Sequence, residues 1–476
     1  LILILLGQSL SSLNSNNYHI DSLNDDLNAK SAQKSNATLS LTDIDSPSVI
    51  DISADAYNTC LFNSNNELFC WGNSADEVLT SGHVSGPTLI TTGIDVLNRT
   101  SFSAYHACGL ADTGRVYCWG DNYYGRTGIG LGSNDAATGS PTYANTNGIA
   151  VDITAGGSQS CALMINNQIS CWGHSGRNGL TPLQDATVPT NITIMPLGRN
   201  ATAISAGWDY TCAILNDDSV FCWGYGTSAG NLARTDGKSI GFGNRTPISI
   251  SAGHSMVCVL LDNYSVNCWG NNYFGQLGTN STVDNYNPTY VDLGVGRTAK
   301  SIQVGSYHAC AILDDDSLKC WGRNTFGQLA TGDNINRLVP TDIEVPLGRV
   351  LKSVDLGYDH TCLLYIDSTI SCVGLNDFRQ LGISSTTNEF SQSLNGLSTP
   401  VQLQEVTEGV SMNATLRSNR VVEFPNNDFN YTIELPNGLT FNNSTFIISG
   451  TPQYTNKINW NFSIGNGSVY YNGTYQ

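Results

Sequence analysis

Positive charge is scarce in this chain. Lys and Arg number 21 against 39 Asp and Glu, so the 476-residue protein has a formal net charge of −18 and a pI near 4.5. A polyanion of this kind repels phosphate backbones and anionic lipid, so we expect neither nucleic acid nor an acidic membrane as partner. Charged residues make up only 13% of the chain and hydrophobic residues 40%, which argues against disorder throughout.

Features that favour long or membrane-spanning helices are also weak. The apolar run at the N-terminus has only six residues, too few to cross a bilayer. The 48 Gly and 21 Tyr, with abundant Asn, Ser and Thr, favour turns and strands. A mass of 51.0 kDa exceeds what one compact core normally contains, so we expect several modules or a repeat array in a mostly β protein.

The 14 cysteines form seven pairs with one C-x9-C spacing, and successive pairs start 46 to 53 residues apart. The pairs are Cys60 with Cys70, Cys108 with Cys118, Cys161 with Cys171, Cys212 with Cys222, Cys258 with Cys268, Cys310 with Cys320, and Cys362 with Cys372. Trp-Gly follows the second cysteine in six copies, and Val373-Gly374 follows it in the seventh. A fixed period near 50 residues indicates a repeat architecture.

Each C-x9-C segment is typical of a β-hairpin. With the first cysteine as position 0, positions 2 and 8 are apolar in every copy, so positions 0, 2, 8 and 10 share a buried face. Folding about position 5 leaves a loop at positions 4 to 6, whose last residue favours Gly, Asn or Asp. Five copies satisfy this preference, and a different loop stays open for the copies with Tyr264 and Ser368.

Directly opposed residues on antiparallel strands lie within disulfide range, so we predict one bridge across each hairpin. The alternative is a set of metal sites, which requires close C-x2-C pairs or nearby histidines that this spacing does not provide. We therefore expect no metal. Seven disulfides persist only in an oxidising compartment, which predicts an extracellular or cell-surface protein.

A longer pattern surrounds the cysteines. One copy contains Gly305-Ser306-Tyr307-His308-Ala309-Cys310, then Cys320-Trp321-Gly322 and Phe326-Gly327-Gln328-Leu329, and the copy before it ends in Gly275-Gln276-Leu277-Gly278. The pattern resembles the regulator of chromosome condensation repeat, in the cysteine-paired form of secreted proteins, over about residues 47 to 408. The resemblance implies a seven-bladed β-propeller with four strands per blade, in which residues 400–403 complete the blade begun at Val49-Ile50.

The resemblance predicts binding better than it predicts chemistry. The eukaryotic founder of the family exchanges guanine nucleotide on a small GTPase and contacts chromatin, and the disulfides and net charge of this chain argue against both roles. A secreted relative inhibits β-lactamases by covering them with one face of the ring. No residue responsible for either activity is carried over to this chain.

Candidate catalytic or metal-binding groups are weak. Ser228 lies in a G-x-S-x-G match at 226–230 but lacks the strand-to-helix setting of a hydrolase elbow. His106, His308 and His360 stand two residues before a first cysteine, where other repeats have Asn, Gln, Tyr or Met, so we expect hydrogen bonding rather than a metal ring. The acidic turns at 216–218 and 314–316 lack calcium-loop spacing. We predict no enzyme activity, no catalytic residue and no cofactor.

N-linked glycans are the one candidate modification. The N-x-S/T sequons lie at Asn36, Asn98, Asn191, Asn200, Asn244, Asn263, Asn280, Asn413, Asn430, Asn442, Asn443, Asn461, Asn466 and Asn472. In so Asn-, Ser- and Thr-rich a chain roughly ten would arise by chance, so the count alone is weak evidence. Asn263 sits at a predicted hairpin tip, where a glycan is free to project.

The chain changes character at both ends. After about residue 409 the repeat stops, and Leu435-Pro436-Asn437-Gly438-Leu439 with Ile448-Ser449-Gly450-Thr451-Pro452 resembles the signature of immunoglobulin-like, cadherin-like domains of surface proteins. This domain is short for a seven-stranded sandwich. At the other end stands the apolar run Leu1, Ile2, Leu3, Ile4, Leu5 and Leu6, for which a strand packed within the same chain and a signal-peptide remnant remain alternatives to intersubunit pairing.

These observations lead to one organisation and two hypotheses. We predict an N-terminal strand and polar tether (1–46), a propeller (47–408) and an immunoglobulin-like domain (409–476). The first hypothesis is a structural or adhesive protein that self-associates into a surface filament, because residues 1–6 add a strand to the incomplete domain of another copy. The alternative is a secreted binding protein whose propeller face captures a protein or a glycan, as the secreted inhibitor does.

Overall fold

Seven antiparallel sheets dominate the computed structural model. It describes residues 48–73, 84–90, 95–132, 138–181, 183–226, 232–346, 349–383 and 386–390, with six short strands of the C-terminal region. Six of the sheets have four strands that pair in sequence order, and the seventh has three strands plus a bridge between Glu389 and Gly374. The fold is therefore an all-β, seven-bladed propeller, as the resemblance implies.

The strands of each blade follow one another along the chain. Blades one to three contain β1 (Val49–Asp55), β2 (Asn58–Asn63), β3 (Leu68–Gly72), β4 (Val84–Leu89), β5 (Leu97–Phe102), β6 (His106–Ala111), β7 (Val116–Gly120), β8 (Thr138–Ala144), β9 (Ala150–Ala155), β10 (Gln159–Met164), β11 (Ile169–Gly173) and β12 (Ala186–Asn191). A single 3-10 turn, Tyr123–Gly125, interrupts this described part of the chain.

Blades four to seven repeat the arrangement. They contain β13 (Ala201–Ala206), β14 (Tyr210–Leu215), β15 (Val220–Gly226), β16 (Leu232–Ile240), β17 (Pro247–Ala252), β18 (Met256–Leu261), β19 (Val266–Gly270), β20 (Asn285–Val291), β21 (Ala299–Val304), β22 (His308–Leu313), β23 (Leu318–Gly322), β24 (Arg337–Ile343), β25 (Leu351–Leu356), β26 (His360–Tyr365) and β27 (Ile370–Gly374). The first strand of every blade contributes to the lining of one central channel, so these seven strands are the innermost.

The predicted hairpins and disulfides are confirmed. In every blade the first cysteine pairs directly with the second across the two middle strands. The Cα atoms of each pair are 4.0–4.1 Å apart, and all 14 cysteines are bonded within their own hairpin. The seven bridges join Cys60 to Cys70, Cys108 to Cys118, Cys161 to Cys171, Cys212 to Cys222, Cys258 to Cys268, Cys310 to Cys320, and Cys362 to Cys372.

All seven hairpins use the same tight turn, including the two that the sequence left open. Tyr264 has φ of 63° and Ser368 has φ of 66°, the same left-handed region as Asn66, Gly114, Asn167, Asp218 and Asp316. In each turn the N–H at position 6 donates to the carbonyl at position 3, as Tyr264 does to Leu261 at 2.8 Å. The fixed register on both sides of the turn imposes this conformation, although it costs a non-glycine residue roughly 1–2 kcal/mol. We call the side of the propeller formed by these turns the hairpin-tip face.

The blades are buried on both faces, not only on the cysteine face that the sequence predicts. The cysteine face packs against the next blade, where Cys60, Phe62, Leu68 and Cys70 join Trp119 in one apolar cluster. In six blades the opposite face presents the tryptophan of Cys-Trp-Gly to the preceding blade, and in blade seven it presents Leu363 and Tyr365. Seven such clusters lie at the seven junctions, so the hydrophobic core is a ring of interfaces.

Polar contacts repeat around the innermost strands. At four junctions a hydroxyl of one blade accepts the backbone N–H of the next, for example Ala206 N donating to Thr154 Oγ1 at 2.8 Å. At the junction of blades seven and one a carboxylate replaces the hydroxyl, and Ala54 N donates to Asp355 Oδ2 at 2.8 Å. Lys352 Nζ also donates to Ile50 O at 2.6 Å, and Trp71 Nε1 donates to Gln380 O at 2.9 Å.

Closure of the ring differs from the sequence prediction. The blade that begins at Val49 has four consecutive strands of its own, so it needs no strand from residues 400–403, which lie outside the described residues. Blades seven and one are joined instead by their side chains: Trp71, Ile52 and Leu61 pack with Leu364 and Leu381.

The C-terminal region forms two three-stranded antiparallel sheets, in the orders β28–β31–β30 and β29–β32–β33. Their strands are β28 (Met412–Thr415), β29 (Tyr431–Ile433), β30 (Leu439–Asn442), β31 (Ile447–Gly450), β32 (Asn459–Ile464) and β33 (Tyr471–Thr474). Residues 1–6 lie outside the described residues, so their predicted role as a linking strand stays a prediction. No helix in the described residues has the length and apolar character needed to span a membrane.

We expect removal of one bridge to weaken the propeller measurably. The paired change Cys310→Ser and Cys320→Ser opens a loop with a sequence separation of 10, which corresponds to a loss of about 2–3 kcal/mol in the free energy of unfolding. Urea titration followed by tryptophan fluorescence measures the loss. Peptide mapping of the unreduced wild-type protein is the control, and any disulfide between different blades would contradict the assignment.

The closing carboxylate predicts an unusual pH dependence. The pKa of Asp355 is raised to about 7, chiefly by burial and also by the neighbouring Asp51 and Asp55 carboxylates, although hydrogen bonds from Ala54 and Leu356 oppose the rise. An unfolded Asp has a pKa near 4, so the folded protein binds more protons than the unfolded chain between about pH 4 and 7. Stability therefore falls as the pH rises through this window, and Asp355→Asn should remove up to about 4 kcal/mol of that change.

Denaturant titrations at several pH values test this dependence, with Asp333→Asn as the control. The hydrogen bond from Arg337 lowers the pKa of Asp333 to about 2, so its contribution changes only below about pH 4. Equal slopes for the wild type and Asp355→Asn between pH 4 and 7 would refute the role of the closing carboxylate.

Candidate functional site

The short turns between the first and second strands of the blades lie opposite the hairpin-tip face, around one mouth of the central channel. Each turn is closed by a backbone hydrogen bond, such as Gly253 N to Met256 O at 2.9 Å. A Cβ on Gly305 would lie 2.6 Å from the carbonyl oxygen of Gly357 in the next blade, so glycine is required where these turns crowd the axis. The side chains of the two residues at the turn are thereby held at the channel mouth.

Six of the seven turns present an aromatic ring there. The residues are Tyr57, Tyr105, Trp208, His254, Tyr307 and Tyr358, and each is partly exposed. Their centroids lie 5.0–6.2 Å apart in a continuous chain of contacts around the mouth. Trp208 of blade four contacts Tyr358 of blade seven at 6.2 Å, so the rings reach across the opening and not only to adjacent blades. We call this side of the propeller the aromatic face.

A second tier of aromatic and arginine side chains surrounds the first. It comes from the loops that follow Cys-Trp-Gly, where Phe274 contacts Tyr307 at 5.4 Å and Phe378 contacts Tyr57 at 4.8 Å. The Arg323 guanidinium lies 5.1 Å from the ring centres of both Phe274 and Phe326. These contacts extend the aromatic face outward from the channel mouth.

The glycine of Cys-Trp-Gly joins the two tiers. Gly322 has φ of 103°, and a Cβ at this position would lie 2.5 Å from the carbonyl oxygen of Tyr307. The same positive φ, between 101° and 125°, occurs at the corresponding glycine of all seven repeats. The motif is therefore needed for the backbone of the loop to approach the turn that carries the aromatic ring.

Three arginine–aspartate pairs lie among the aromatic rings. Arg323 Nη1 is 3.0 Å from Asp359 Oδ1, and Arg177 Nε is 2.7 Å from Asp209 Oδ1. Arg126 Nη2 is 3.7 Å from Asp121 Oδ2 and its guanidinium lies 4.8 Å from the Tyr105 ring centre. In each pair the aspartate balances the charge of the arginine, and the guanidinium groups of Arg126 and Arg323 also lie against aromatic rings.

Burial favours the uncharged forms of His254, Tyr358 and Asp359 on this face. It lowers the pKa of His254, so the imidazole is neutral. Burial also raises the pKa of Tyr358 above its ordinary value, supported by the neighbouring Tyr307 hydroxyl at 3.3 Å. For Asp359, burial raises the pKa to about 6 although Arg323 and a hydrogen bond from Gln328 lower it. The face is thus an aromatic surface with locally balanced charge.

The channel beneath the rings is polar. It has a volume of about 320 Å³ and is lined by residues of all seven blades, with Trp208, His254 and Tyr358 at the aromatic end. Its wall also contains the carboxylates of Asp55, Asp152 and Asp355. In the described residues, no group of three or more His, Cys, Asp or Glu side chains has a metal-binding arrangement.

The three histidines singled out in the sequence are structural. His106, His308 and His360 are fully buried, and each Nε2 lies 2.6–3.0 Å from a hydroxyl of the following blade. Burial lowers all three pKa values, to about 3 for His308 and about 4 for His360. They connect neighbouring blades as neutral hydrogen-bonding groups.

The other candidate residues lie away from the aromatic face or outside the described residues. Ser228 is outside them. The acidic turn at 314–316 pairs with Arg297 and Lys300 on the hairpin-tip face, and Asp217 pairs with Arg199 there. Of the sequons, Asn98, Asn191, Asn200, Asn244, Asn263 and Asn280 are exposed on the propeller. Asn413, Asn442, Asn461 and Asn472 lie in the described C-terminal strands, while Asn36, Asn430, Asn443 and Asn466 lie outside the described residues.

Sequence reasoning missed the aromatic face. The signal was available, because an aromatic residue or His stands three or four residues before the first cysteine in six of the seven repeats. Tyr57, Tyr105 and Tyr307 stand three residues before the cysteine, whereas Trp208, His254 and Tyr358 stand four residues before it. No single repeat position is aromatic throughout, so only the folded ring reveals that these side chains meet.

Comparison with known proteins agrees with this architecture. Family models described as the "Regulator of chromosome condensation (RCC1) repeat" match residues 100–126, 201–229 and 299–328, and also 265–312 and 315–364. A model described as "Putative Ig domain" matches residues 395–475.

Among curated proteins, the chain is 28% identical over 356 residues to the Ultraviolet-B receptor UVR8 of Arabidopsis thaliana, covering 71% of this chain and 79% of the receptor. It is 27% identical over 269 residues to the human Probable E3 ubiquitin-protein ligase HERC4, covering 56% of this chain but only 20% of the ligase.

Among solved structures, the fold is similar to yeast RCC1 (Prp20) bound to Kap60, with a TM-score of 0.62, 18% identity and coverage of 71% of this chain and 84% of that chain. Human WBSCR16 is similar with a TM-score of 0.60, 20% identity and coverage of 66% and 86%. Identities this low show the fold alone. The chain is therefore an RCC1-repeat β-propeller with one disulfide in each blade, followed by an immunoglobulin-like region at its C-terminal end.

Proposed function

We propose that this chain is an extracellular, non-enzymatic binding protein that docks a protein partner on its aromatic face. The observation that carries this proposal is the continuous set of partly exposed aromatic rings contributed by six blades at one channel mouth. Large connected aromatic surfaces of this kind mark interaction sites in soluble proteins.

The composition of the aromatic face favours a protein over a glycan as partner. Its two tiers consist of Tyr, Trp, Phe, His and Arg, and Tyr, Trp and Arg dominate the energetic centres of protein–protein interfaces. The arginines at 126, 177 and 323 are each paired with an aspartate, so the face presents no strong net charge of either sign. A partner with apolar and aromatic side chains and a few hydrogen-bonding groups fits this chemistry.

The rigidity of the face supports a high-affinity site. Its side chains project from turns closed by backbone hydrogen bonds, and Trp208, Tyr307 and Tyr358 pack against one another before any partner arrives. Little conformational entropy is then lost on binding, which is the main benefit of a preorganised surface.

Location outside the cell is inferred from the cysteines. Seven disulfides indicate an oxidising environment, and the secretory route and the extracellular space supply one. The activities named for the curated relatives belong to those proteins. What the relatives share with this chain is the repeat, and a repeat fold does not transfer an activity.

Self-association into a filament is a second hypothesis. Its motivation is the apolar run at residues 1–6, because such a run is prone to pair with a strand edge. Light scattering of the full chain and of a chain lacking residues 1–6 tests it. A concentration-independent monomer mass for the full chain would rule out the filament.

A displayed library of random twelve-residue peptides, selected against the immobilised full chain, tests the binding site. We expect the selected peptides to lose at least tenfold in affinity for Trp208→Ala, because truncating a central aromatic residue at a binding site costs more than about 1.4 kcal/mol. Fluorescence anisotropy with one labelled peptide measures the affinity.

Tyr290→Ala is the matched control for this experiment. Tyr290 is 56% exposed but lies on β20, the outermost strand of blade five, away from the aromatic face. Its variant should bind the peptide like the wild type. Peptides that bind Trp208→Ala as tightly as the wild type would refute the site, and selective binding to a glycan array with no peptide selected would favour a glycan ligand instead.

A further inference from the structure

We propose that the hairpin-tip face carries N-linked glycans at Asn98, Asn200, Asn244 and Asn263. This inference rests on the placement of sequons in the folded propeller and does not depend on the proposed function. It concerns an arc of the ring from blade two to blade five.

The strand register places these four asparagines at one end of their blades. Asn98 directly follows Leu97, which pairs with Ala111 next to the tip of its hairpin. Asn200 precedes β13, and its carbonyl accepts a hydrogen bond from Asn216 N, in the tip at 216–218, at 2.9 Å. Asn244 stands in the loop that enters β17, which begins opposite Leu261, and Asn263 lies in the tip itself. All four therefore lie on the hairpin-tip face.

The side-chain amides of the four residues are accessible. Each residue is exposed. Asn98 is the extra residue of a β-bulge, because Leu97 and Arg99 pair with consecutive residues of β6. At Asn263 the hydroxyl of Ser265, the third residue of the same sequon, donates to Oδ1 at 2.7 Å. Within the described residues, the four Nδ2 atoms donate no hydrogen bond, so attachment of a glycan breaks no contact.

Two other exposed sequons of the propeller differ from these four, one because its amide is hydrogen-bonded and the other because it lies at a different end of its blade. At Asn191, Oδ1 accepts a hydrogen bond from Ser170 at 2.6 Å, and Nδ2 donates to Gln168 at 3.3 Å. Asn280 lies in the loop between β19 and β20, at the end of the blade opposite the tips. We expect low occupancy at Asn191 because its amide is engaged. Asn280 lies at the other end of its blade and is not among the four proposed sites.

The chemistry of attachment uses a donor of one class, a lipid-linked oligosaccharide phosphate or diphosphate. The asparagine Nδ2 forms a bond to the anomeric carbon of the sugar, and the bond from that carbon to the lipid phosphate oxygen breaks. The lipid phosphate or diphosphate leaves, and Nδ2 loses one proton. No oxidant or reductant takes part. The seven disulfides place folding in a secreting compartment, where such donors and their transferase operate in cells that N-glycosylate proteins.

The hairpin tips of blades six and seven carry ion pairs. In blades six and seven Arg297 pairs with Asp315, Lys300 with Asp316 and Arg349 with Asp367. The described tips of these blades hold no sequon. Glycans on the neighbouring arc would block close packing of another protein there, so a partner would approach from the aromatic face.

Glycopeptide mapping tests the proposal. The full chain is secreted from a eukaryotic cell line that performs N-glycosylation, and glycans are removed by peptide N-glycosidase in ¹⁸O water, which converts each occupied Asn to a heavy Asp. We expect the heavy label at Asn98, Asn200, Asn244 and Asn263, at several times the occupancy of Asn191. Absence of label from these four asparagines, or label at Asn191 equal to theirs, would overturn the proposal.

Substitution at the third sequon position provides the matched control, since it leaves each asparagine in place. Ser265→Ala and Thr246→Ala should each remove one step of gel mobility and abolish the label at Asn263 and Asn244 respectively. The variants should keep the wild-type disulfide map, because both residues are only partly buried and lie in turns outside the hydrophobic core. Retention of label at Asn263 in Ser265→Ala would show that the modification does not follow the sequon and would refute the assignment.

Discussion

The structure depends on one constraint: every blade is buried on both faces. The tryptophan face of each sheet packs against the previous blade, and the cysteine face packs against the next. A blade with a missing neighbour would expose one of these surfaces, so the array is stable only as a closed ring. The junction of blades seven and one is where two distant parts of the chain must meet, and there Asp355, Lys352 and Trp71 bond across about 300 residues.

The same constraint creates the candidate site. Packing seven sheets around one axis brings the turns of neighbouring blades so close that Gly305 and Gly357 touch through backbone atoms. The residues at those turns are therefore concentrated at the channel mouth whatever their identity. Because six blades place an aromatic ring or His there, the close packing of the turns brings these rings into one connected surface. Gly322 and its equivalents allow the loops of the second tier to pack against that surface.

Local features of this fold were predictable and distant ones were not. The hairpins and disulfides follow from positions 0, 2, 8 and 10, because strand alternation acts within a few residues. Residue preference does not predict the turn at Tyr264, because tyrosine disfavours the left-handed region that the fixed register imposes on it. Ring closure and the contact of Trp208 with Tyr358 involve blades far apart in sequence, so no repeat pattern encodes them.

The two sides of the propeller differ in how strongly neighbouring blades restrain their side chains. The hairpin tips project into solvent, and there the chain places sequons and ion pairs such as Lys300 with Asp316. The opposite turns are restrained by neighbours, which fixes side-chain positions and removes water from rings such as His254. A preorganised, partly desolvated aromatic surface gains more from contact than an exposed charged one, because less entropy and hydration are lost on binding. The side that folding constrains most is thus the side best suited to recognition.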